Sequence, residues 1–185
     1  MYYFYRISLN LFCIFSYIMS PSTWGPPTWL FMHTLAEKIK DSSFPIIGSQ
    51  LIFILIQISN NLPCPECTVH AKQFWSKVKT ANIATKTDLI NLLFVFHNMV
   101  NKRKNMLPFK YNSLQYYKSK NVIDTYNLFS RNFNTKGNMS LINESFHRDR
   151  MLSSLRNWLM SNLKPEVFST HVPSSALSGR KRLAS

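Results

Sequence analysis

The sequence predicts an all-α protein, a four-helix bundle followed by a short fifth helix. Apolar residues recur in long runs, proline and hydroxyl residues stand where helices would begin, and neither a strand–helix alternation nor a G-x-G-x-x-G motif occurs. The chain has 185 residues, of which 45% are hydrophobic, as expected for one helical domain with tails. Scarce glycine and only three cysteines exclude a collagen-like chain and a disulfide-stapled miniprotein.

Four predicted helices form the bundle. The first covers residues 26–40, because prolines are tolerated in a first helical turn and hydroxyl residues precede them. The second is the apolar run 46–62, whose length favours a buried helix over a strand. The third, 64–78, opens on the pair of cysteines. The fourth, 85–104, has a hydroxyl and an acid at its start and bases at its end, as the helix dipole favours.

The remainder of the chain is predicted to extend this bundle. A short fifth helix fits residues 113–120, and a C-terminal extension follows over 121–185. Within it, 145–163 has the spacing of one amphipathic helix, 130–143 is rich in Asn, Ser and Gly and is interpreted as a linker, and 164–185 is predicted to be a disordered basic tail.

Residues 1–19 form an apolar, aromatic N-terminal extension that is interrupted by Arg6 and Asn10. The apolar run after Arg6 is shorter than the roughly 20 residues that a membrane-spanning helix needs. Three interpretations stay open: an extension upstream of a functional start at Met19, a membrane-associating segment, or a cleaved signal segment.

The charge is strongly positive, with 22 Lys+Arg against 8 Asp+Glu and a formal net charge of +14. Such a charge is typical of proteins that bind nucleic acid or anionic membranes. The densest basic runs are only 102–104 and 180–182, and no predicted helix has a continuous basic face. We therefore interpret most of the charge as solvated surface and do not expect nucleic acid as a partner.

The sharpest chemical feature is the C-x-x-C formed by Cys64 and Cys67 at a predicted helix start. Two thiols at this spacing can close a disulfide, and a helix N-terminus stabilises a thiolate, as a dithiol redox centre requires. The same spacing is also half of a zinc site, with His70 as a candidate third ligand. No second C-x-x-C exists and Cys13 lies far upstream, but spacing alone leaves both interpretations open.

Two further motifs place rings and amides on helix faces. Trp29, in the segment 24–29, lies four residues before His33, so the indole and imidazole share one face. His97 and Asn101 share a face in the same way, whereas Asn98 points away from it. Each residue taken singly is typical of a core stripe or a polar helix end. Together they supply aromatic faces and amides, which hold planar ligands with a polar edge.

These motifs, W-G-P-x-x-W-x-x-x-H, C-P-x-C-x-x-H and F-H-N-x-V-N, resemble in order and spacing those of the Erv/ALR family of FAD-dependent sulfhydryl oxidases. The resemblance covers residues 20–120, and the short core is most similar to the minimal members encoded by large cytoplasmic DNA viruses. It implies that this domain is a helical bundle that binds FAD noncovalently at its mouth and forms a homodimer.

The resemblance also implies roles for individual residues. Cys64 is the interchange thiol that exchanges with substrate dithiols, Cys67 is the flavin-proximal thiol, and the electrons pass through FAD to O2 to give H2O2. Lys102 and Tyr117 are the weaker candidates among the implied FAD contacts. These contacts are Trp24, Gly25, Trp29, His33, Cys67, His70, Phe74, His97, Asn98, Val100, Asn101, Lys102 and Tyr117.

The chain departs from the family pattern in three ways. A Lys found in many relatives is Met106 here, so one of the bases 102–104 is expected to provide charge for the FAD phosphates. The distal shuttle cysteine pair and the structural disulfide of relatives are absent. We therefore expect an external dithiol protein substrate or a thioredoxin-like shuttle as partner.

The resemblance implies disulfide formation in virion proteins, in the host cytoplasm or the virion. Membrane association through residues 1–18 stays open. The alternative function is a zinc-binding interaction module that uses Cys64, Cys67 and histidines.

Overall fold

The structure, a computed structural model, describes residues 20–134 and 142–169. The predictions for residues 1–19, for residues 135–141 of the linker and for the tail beyond residue 169 therefore fall outside the described residues. Within the two described ranges, none of the helices combines the length and the apolar character needed to cross a bilayer.

The described residues contain seven α-helices and no β-strand, which confirms the predicted all-α class. Short 3₁₀ turns precede α4 and α5, at Thr80–Asn82 and Tyr111–Leu114. The helices are α1 Pro21–Lys38, α2 Phe44–Asn60, α3 Pro65–Trp75, α4 Lys86–Arg103, α5 Gln115–Lys118, α6 Val122–Phe133 and α7 Ile142–Asn162.

Helix α1 begins earlier than the prediction of a start near Pro26. Its N-cap is Ser20, whose hydroxyl accepts a hydrogen bond from the backbone N–H of Ser22 at 3.3 Å. Pro26 and Pro27 lie inside the helix, close to its N-terminal end. The sequence predicts these prolines in the first turn, whereas the serine cap and Pro21 provide that turn.

The starts of α3 and α4 lie close to where the sequence placed them, because side chains cap both. The Cys64 sulfur accepts a hydrogen bond from the Cys67 N–H at 3.2 Å. Thr85 and Asp88 form a capping box: the Asp88 N–H donates to Thr85 Oγ1 at 3.1 Å, and the Thr85 N–H donates to Asp88 Oδ2 at 2.8 Å. Both caps satisfy backbone donors that a helix start leaves unpaired.

The core lies around α1 and α2. Helix α1 packs against α4, α5 and α6, while α2 packs against α3, α4 and α7. Leu35, Leu51, Leu55 and Leu93 are fully buried at these contacts, and each such side chain contributes about 1.5–3 kcal/mol relative to an exposed one. The bundle therefore holds α3, with its cysteines, against α2 and brings α4 alongside α1.

Helix α6 was not predicted, because the apolar pattern beyond residue 121 is broken by polar residues. Asn121 caps it by accepting from the Ile123 N–H at 2.7 Å. Phe129 and Phe133 are fully buried on its inner face, and Phe129 stacks on Phe31 of α1 with ring centroids 4.9 Å apart. Helix α6 therefore covers a face of α1.

The segment 164–169 was predicted as part of a disordered tail, and that prediction is wrong for these residues. The Lys40 N–H donates to the Val167 carbonyl at 2.9 Å, and the Ser169 N–H donates to the Lys38 carbonyl at 2.7 Å. Phe168 is fully buried and lies edge-on to Trp158. We call residues 164–169 the strap. Helix α7, close to the amphipathic helix predicted over 145–163, precedes the strap and places it at the C-terminal end of α1.

Replacing the buried ring of the strap should destabilise the whole fold. We expect Phe168→Ala to lower the free energy of unfolding by roughly 3–5 kcal/mol, because it removes a fully buried ring. Urea denaturation followed by circular dichroism measures this. Met160→Ala, at a side chain that is 78% exposed, is the matched control and should change stability by less than about 0.5 kcal/mol. Equal stability of the two variants would contradict the packing role of the strap.

Candidate active site

A mostly apolar cavity of about 300 Å³ lies among the first turns of α1, the end of α2, the start of α3 and the second half of α4. Its wall combines large apolar side chains, both cysteines of the C-x-x-C and three charged side chains. The lining residues are Pro21, Trp24, Gly25, Thr28, Trp29, Met32, Ser59, Leu62, Cys64, Glu66, Cys67, His70, Ala71, Phe96, Met99, Val100, Arg103 and Lys104.

Cys64 and Cys67 are joined in a disulfide in this wall, with Cα atoms 5.2 Å apart. Cys64 precedes α3 as its N-cap, and Cys67 lies within the first turn. The Cys67 N–H already points at the Cys64 sulfur, and the positive end of the α3 dipole lies beside both sulfurs. Reduction of the bond would therefore leave a thiolate at a place where the helix start stabilises it.

Aromatic rings form the floor of the cavity. Trp29 lies edge-on to Phe96, with centroids 5.2 Å apart and planes at 73°. Behind the cavity, Phe96 stacks on Phe74 at 4.4 Å. These contacts join α1, α3 and α4, so the orientation of Trp29 at the cavity depends on all three helices.

A second layer of rings lies behind Trp29. The His97 imidazole stacks on Trp29 at 4.1 Å with planes 7° apart, and Phe109 stacks on its other face at 4.5 Å. His33 Nε2 lies 3.1 Å from His97 Nδ1, and the His33 ring stacks on Tyr117 at 4.7 Å. Rings therefore occupy both faces of His97.

Both histidines of this layer are held in the neutral form. Burial, and then the nearby His97, lower the pKa of His33 to about 3. Burial lowers the pKa of His97 to about 4. At neutral pH one imidazole can therefore donate to the other without charge repulsion, and this hydrogen bond links α1 to α4.

The two asparagines hold the loop that follows α4. Asn98 binds both backbone groups of Phe109: the Phe109 N–H donates to Oδ1 at 2.7 Å, and Nδ2 donates to the Phe109 carbonyl at 3.0 Å. Asn101 Nδ2 donates to the Leu107 carbonyl at 3.2 Å. These hydrogen bonds place the Phe109 ring on His97. Although Asn98 was predicted to point away from Asn101, both residues bind the same loop.

Charged side chains meet at the mouth of the cavity. Glu66 Oε1 lies 3.7 Å from Arg103 Nη2 and 3.5 Å from His70 Nε2, so it connects the start of α3 to the end of α4. Lys104 Nζ lies 5.9 Å from the centre of the Trp24 ring, and burial, with Arg103 nearby, lowers the pKa of Lys104. Of the bases 102–104, Arg103 and Lys104 therefore line the cavity, whereas Lys102 is exposed outside it.

The structure divides the predicted cofactor contacts into two groups. One group lines the cavity: Trp24, Gly25, Trp29, Cys67, His70 and Val100. The other group does not line it: His33, Phe74, His97, Asn98, Asn101, Lys102 and Tyr117. Lys102 of the second group is exposed. The other members make ring contacts or hydrogen bonds behind the cavity wall.

Sequence reasoning missed several lining residues, among them Thr28, Met32, Phe96 and Met99. Phe96 directly precedes the predicted contact His97, and Met32 directly precedes His33. The sequence gives no signal for them, because an apolar side chain does not show whether a helix or a cavity faces it. In the ranges that the structure describes, no group of three or more His, Cys, Asp or Glu side chains could hold a metal ion.

Comparison with known proteins gives one family. A family model described as "Erv1 / Alr family" matches residues 26–121 of the chain. No solved structure matches the chain significantly.

Individual relatives are viral proteins. The 096R protein of Invertebrate iridescent virus 3, named as a candidate FAD-linked sulfhydryl oxidase, is 29% identical over 90 residues, which cover 47% of this chain and 60% of that protein. The FAD-linked sulfhydryl oxidase of an African swine fever virus isolate from Kenya is 30% identical over 82 residues, covering 44% of this chain and 68% of that protein. The chain thus spans about three fifths of the first of these relatives.

The neutral histidine pair should make the fold sensitive to mild acid. The folded pKa values of His33 and His97, about 3 and about 4, lie below the ordinary 6.5, so below pH 6.5 the unfolded chain binds more protons than the folded one. Their stability contribution is complete above about pH 6.5 and is lost as the pH falls towards 4. Urea denaturation should give a free energy of unfolding roughly 2–4 kcal/mol lower at pH 5 than at pH 7.

A His97→Phe variant keeps a ring between Trp29 and Phe109 but removes one titrating group. It should lose about half as much stability over the same pH interval, whereas His147→Gln, at an exposed position, should behave as the native chain. An undiminished acid loss in His97→Phe would show that other groups cause it.

Proposed function

The chain belongs to the Erv1/Alr family, and we propose from this premise that it is an FAD-linked sulfhydryl oxidase that forms disulfides in partner proteins. One observation carries the proposal: the Cys64–Cys67 disulfide lies in the wall of an aromatic cavity large enough for a planar ring system. The names of the viral relatives support the same activity.

The residues present fit FAD. Trp24, Trp29 and Val100 provide flat apolar walls, and Gly25 leaves open space, because a Cβ added there would meet nothing within 4 Å. A planar ring system is bound by such walls. Arg103 and Lys104 at the mouth provide the positive charge that phosphates require; they take the place of the family lysine at exposed Met106.

We propose that the residues behind the wall act by positioning. His33, His97 and Tyr117 fix the ring of Trp29 from the rear, and Asn98 and Asn101 fix the loop that completes this layer. Phe74 does the same for Phe96. In this proposal they support cofactor binding through Trp29 and Phe96.

The chemistry of the chain's own groups is thiol–disulfide exchange. A substrate thiolate attacks Cys64, forming a mixed disulfide while Cys67 leaves as a thiolate, which the start of α3 stabilises. A second substrate thiol, on losing its proton, attacks the mixed disulfide; this releases an oxidised substrate and leaves Cys64 and Cys67 reduced. FAD, held by the cavity residues, would supply the two-electron acceptor for the reduced Cys64 and Cys67 pair, with O2 as the final acceptor and H2O2 as the product.

The proposed function includes the electron donor, the place of action and the oligomeric state of the chain. The donor is a dithiol protein or a thioredoxin-like shuttle, and the place of action is the host cytoplasm or virion, as the viral relatives suggest. A homodimer is proposed as well; exposed Ile46 and Phe53 on α2 offer apolar contact area. The alternative zinc module gains no specific support, since the two cysteine sulfurs are bonded to each other.

Loss of the proposed flavin-proximal thiol should stop turnover without emptying the cavity. We expect Cys67→Ser to abolish oxygen consumption with dithiothreitol while FAD stays bound, because the serine hydroxyl cannot form the disulfide. Oxygen-electrode traces and the flavin spectrum of the purified variant measure both. Cys13→Ser, outside the C-x-x-C, is the matched control and should keep full activity. Undiminished turnover by Cys67→Ser would overturn the proposed chemistry.

Filling the open space at Gly25 should block the cofactor. Gly25→Leu places a bulky side chain in the cavity, so we expect the purified protein to carry less than about a tenth of the flavin of the native chain while its helical circular dichroism is retained. Gly25→Ala is the matched control: one methyl group meets no neighbour, so flavin content should be unchanged. Full flavin occupancy in Gly25→Leu would place the cofactor elsewhere.

A further inference from the structure

One long stretch of the chain contains bases and no acids. Between Asp88 and Asp124 the sequence has neither Asp nor Glu. Shorter stretches with bases and no acids cover 67–87 and 167–185, whereas on α7 the two signs alternate, with Asp149 between two arginines. The bases of the acid-free stretch, which we call the basic strip, are Lys102, Arg103, Lys104, Lys110, Lys118 and Lys120.

The basic strip begins at the proposed active site and follows the seam between α1 and α4. Arg103 and Lys104 line the cavity together with Cys64 and Cys67. The chain then folds back along α4, where the Tyr111 hydroxyl donates to Asn91 Oδ1 at 2.8 Å. It next reaches α1, where the Lys38 ammonium donates to the carbonyl of Lys118. The backbone that carries these bases therefore starts beside the disulfide, folds back along α4 and ends beside the C-terminal end of α1.

The basic strip is open to a partner. Outside the cavity mouth, Lys102, Lys110 and Lys118 are exposed. Lys120 is half-buried, and its ammonium lies 3.7 Å from the Tyr116 ring centre. Among the described residues, Arg103 alone of the strip has an ion pair with an acid, Glu66. The neighbouring Leu107 and Tyr116 are apolar and exposed, so charge and apolar contact area occur together, as at protein interfaces.

We propose that the basic strip is the docking surface for protein substrates whose dithiol is flanked by acidic residues; this inference rests on the proposed oxidase function. A protein interface of ordinary size buries about 800 Å² on each partner, a patch roughly 16 Å in radius. A substrate protein whose thiol reaches Cys64 must therefore also cover the near part of the strip. Acidic residues on the substrate accelerate its encounter with the strip, and basic residues slow that encounter.

The strip acts on docking and not on the electron transfer itself. In each turnover two substrate thiols are oxidised to one disulfide and O2 is reduced to H2O2, whatever the charge of the substrate. A small neutral dithiol such as dithiothreitol has no flanking residues to meet the strip. Its oxidation therefore reports the chemistry alone, and the oxidation of peptides reports chemistry and docking together.

The first experiment uses the full-length native chain and three dithiol peptides of equal length, identical except for acidic, neutral or basic residues beside the cysteine pair. Oxygen consumption gives kcat/KM for each peptide at low and at high salt. We expect the acidic peptide to exceed the basic one by about tenfold at low salt, and the difference to disappear at high salt as the charges are screened.

The second experiment reverses charge on the strip at two residues outside the cavity lining, Lys110→Glu with Lys118→Glu. The matched control makes the same change on and after α7, Arg150→Glu with Lys164→Glu, at exposed positions. The strip variant should lower kcat/KM for the acidic peptide at least threefold and raise it for the basic one, with dithiothreitol oxidation and flavin content unchanged. The control should follow the native chain.

The outcomes separate the two proposals. No flavin and no oxygen consumption with dithiothreitol would refute the proposed oxidase function itself. Normal dithiothreitol oxidation with equal kcat/KM for the three peptides, or equal effects of both charge-reversal pairs, would overturn the docking surface alone. So would a strip variant that loses affinity for a single-stranded oligonucleotide while the peptides show no charge preference, since the strip would then serve nucleic acid.

Discussion

The stack of Trp29 on His97 is the interaction on which the site depends. It joins α1 to α4 at the floor of the cavity, with ring planes nearly parallel, and burial lowers the pKa values of His97 and His33, which favours their neutral forms. The hydrogen bond between the two imidazoles and the loop held by Asn98 keep it in place. A local polar network thus determines the orientation of an apolar wall.

The start of α3 explains why the Cys64–Cys67 disulfide lies in the cavity wall. The N-cap of α3 is itself a cysteine, so the geometry that starts the helix also fixes both sulfurs beside the cavity. Phe74 and Phe96 then lock α3 to α4. Helices α6 and α7 with the strap cover other faces of α1 and α2. They stabilise the bundle and contribute no residue to the cavity wall.

The structure shows where the excess basic residues lie in the fold. Most of them are dispersed over the surface, as the sequence indicated. Arg103 and Lys104 are instead drawn into the cavity mouth, and the acid-free stretch that contains them runs outward from the disulfide. These bases lie where they do because the loop after α4 folds back on that helix. A count of charges in the sequence does not show this placement.

Local signals in the sequence determined the helices of the bundle and the position of the C-x-x-C at a helix start. Capping residues such as Thr85 with Asp88, and the C-x-x-C at a helix start, act over three or four residues and can be read directly. Tertiary structure alone decided that Phe129 and Phe168 belong to the core, that Met32 and Phe96 line the cavity, and that His97 lies behind it. Those outcomes depend on which helix packs against which face, and that is set by contacts between residues far apart in the chain.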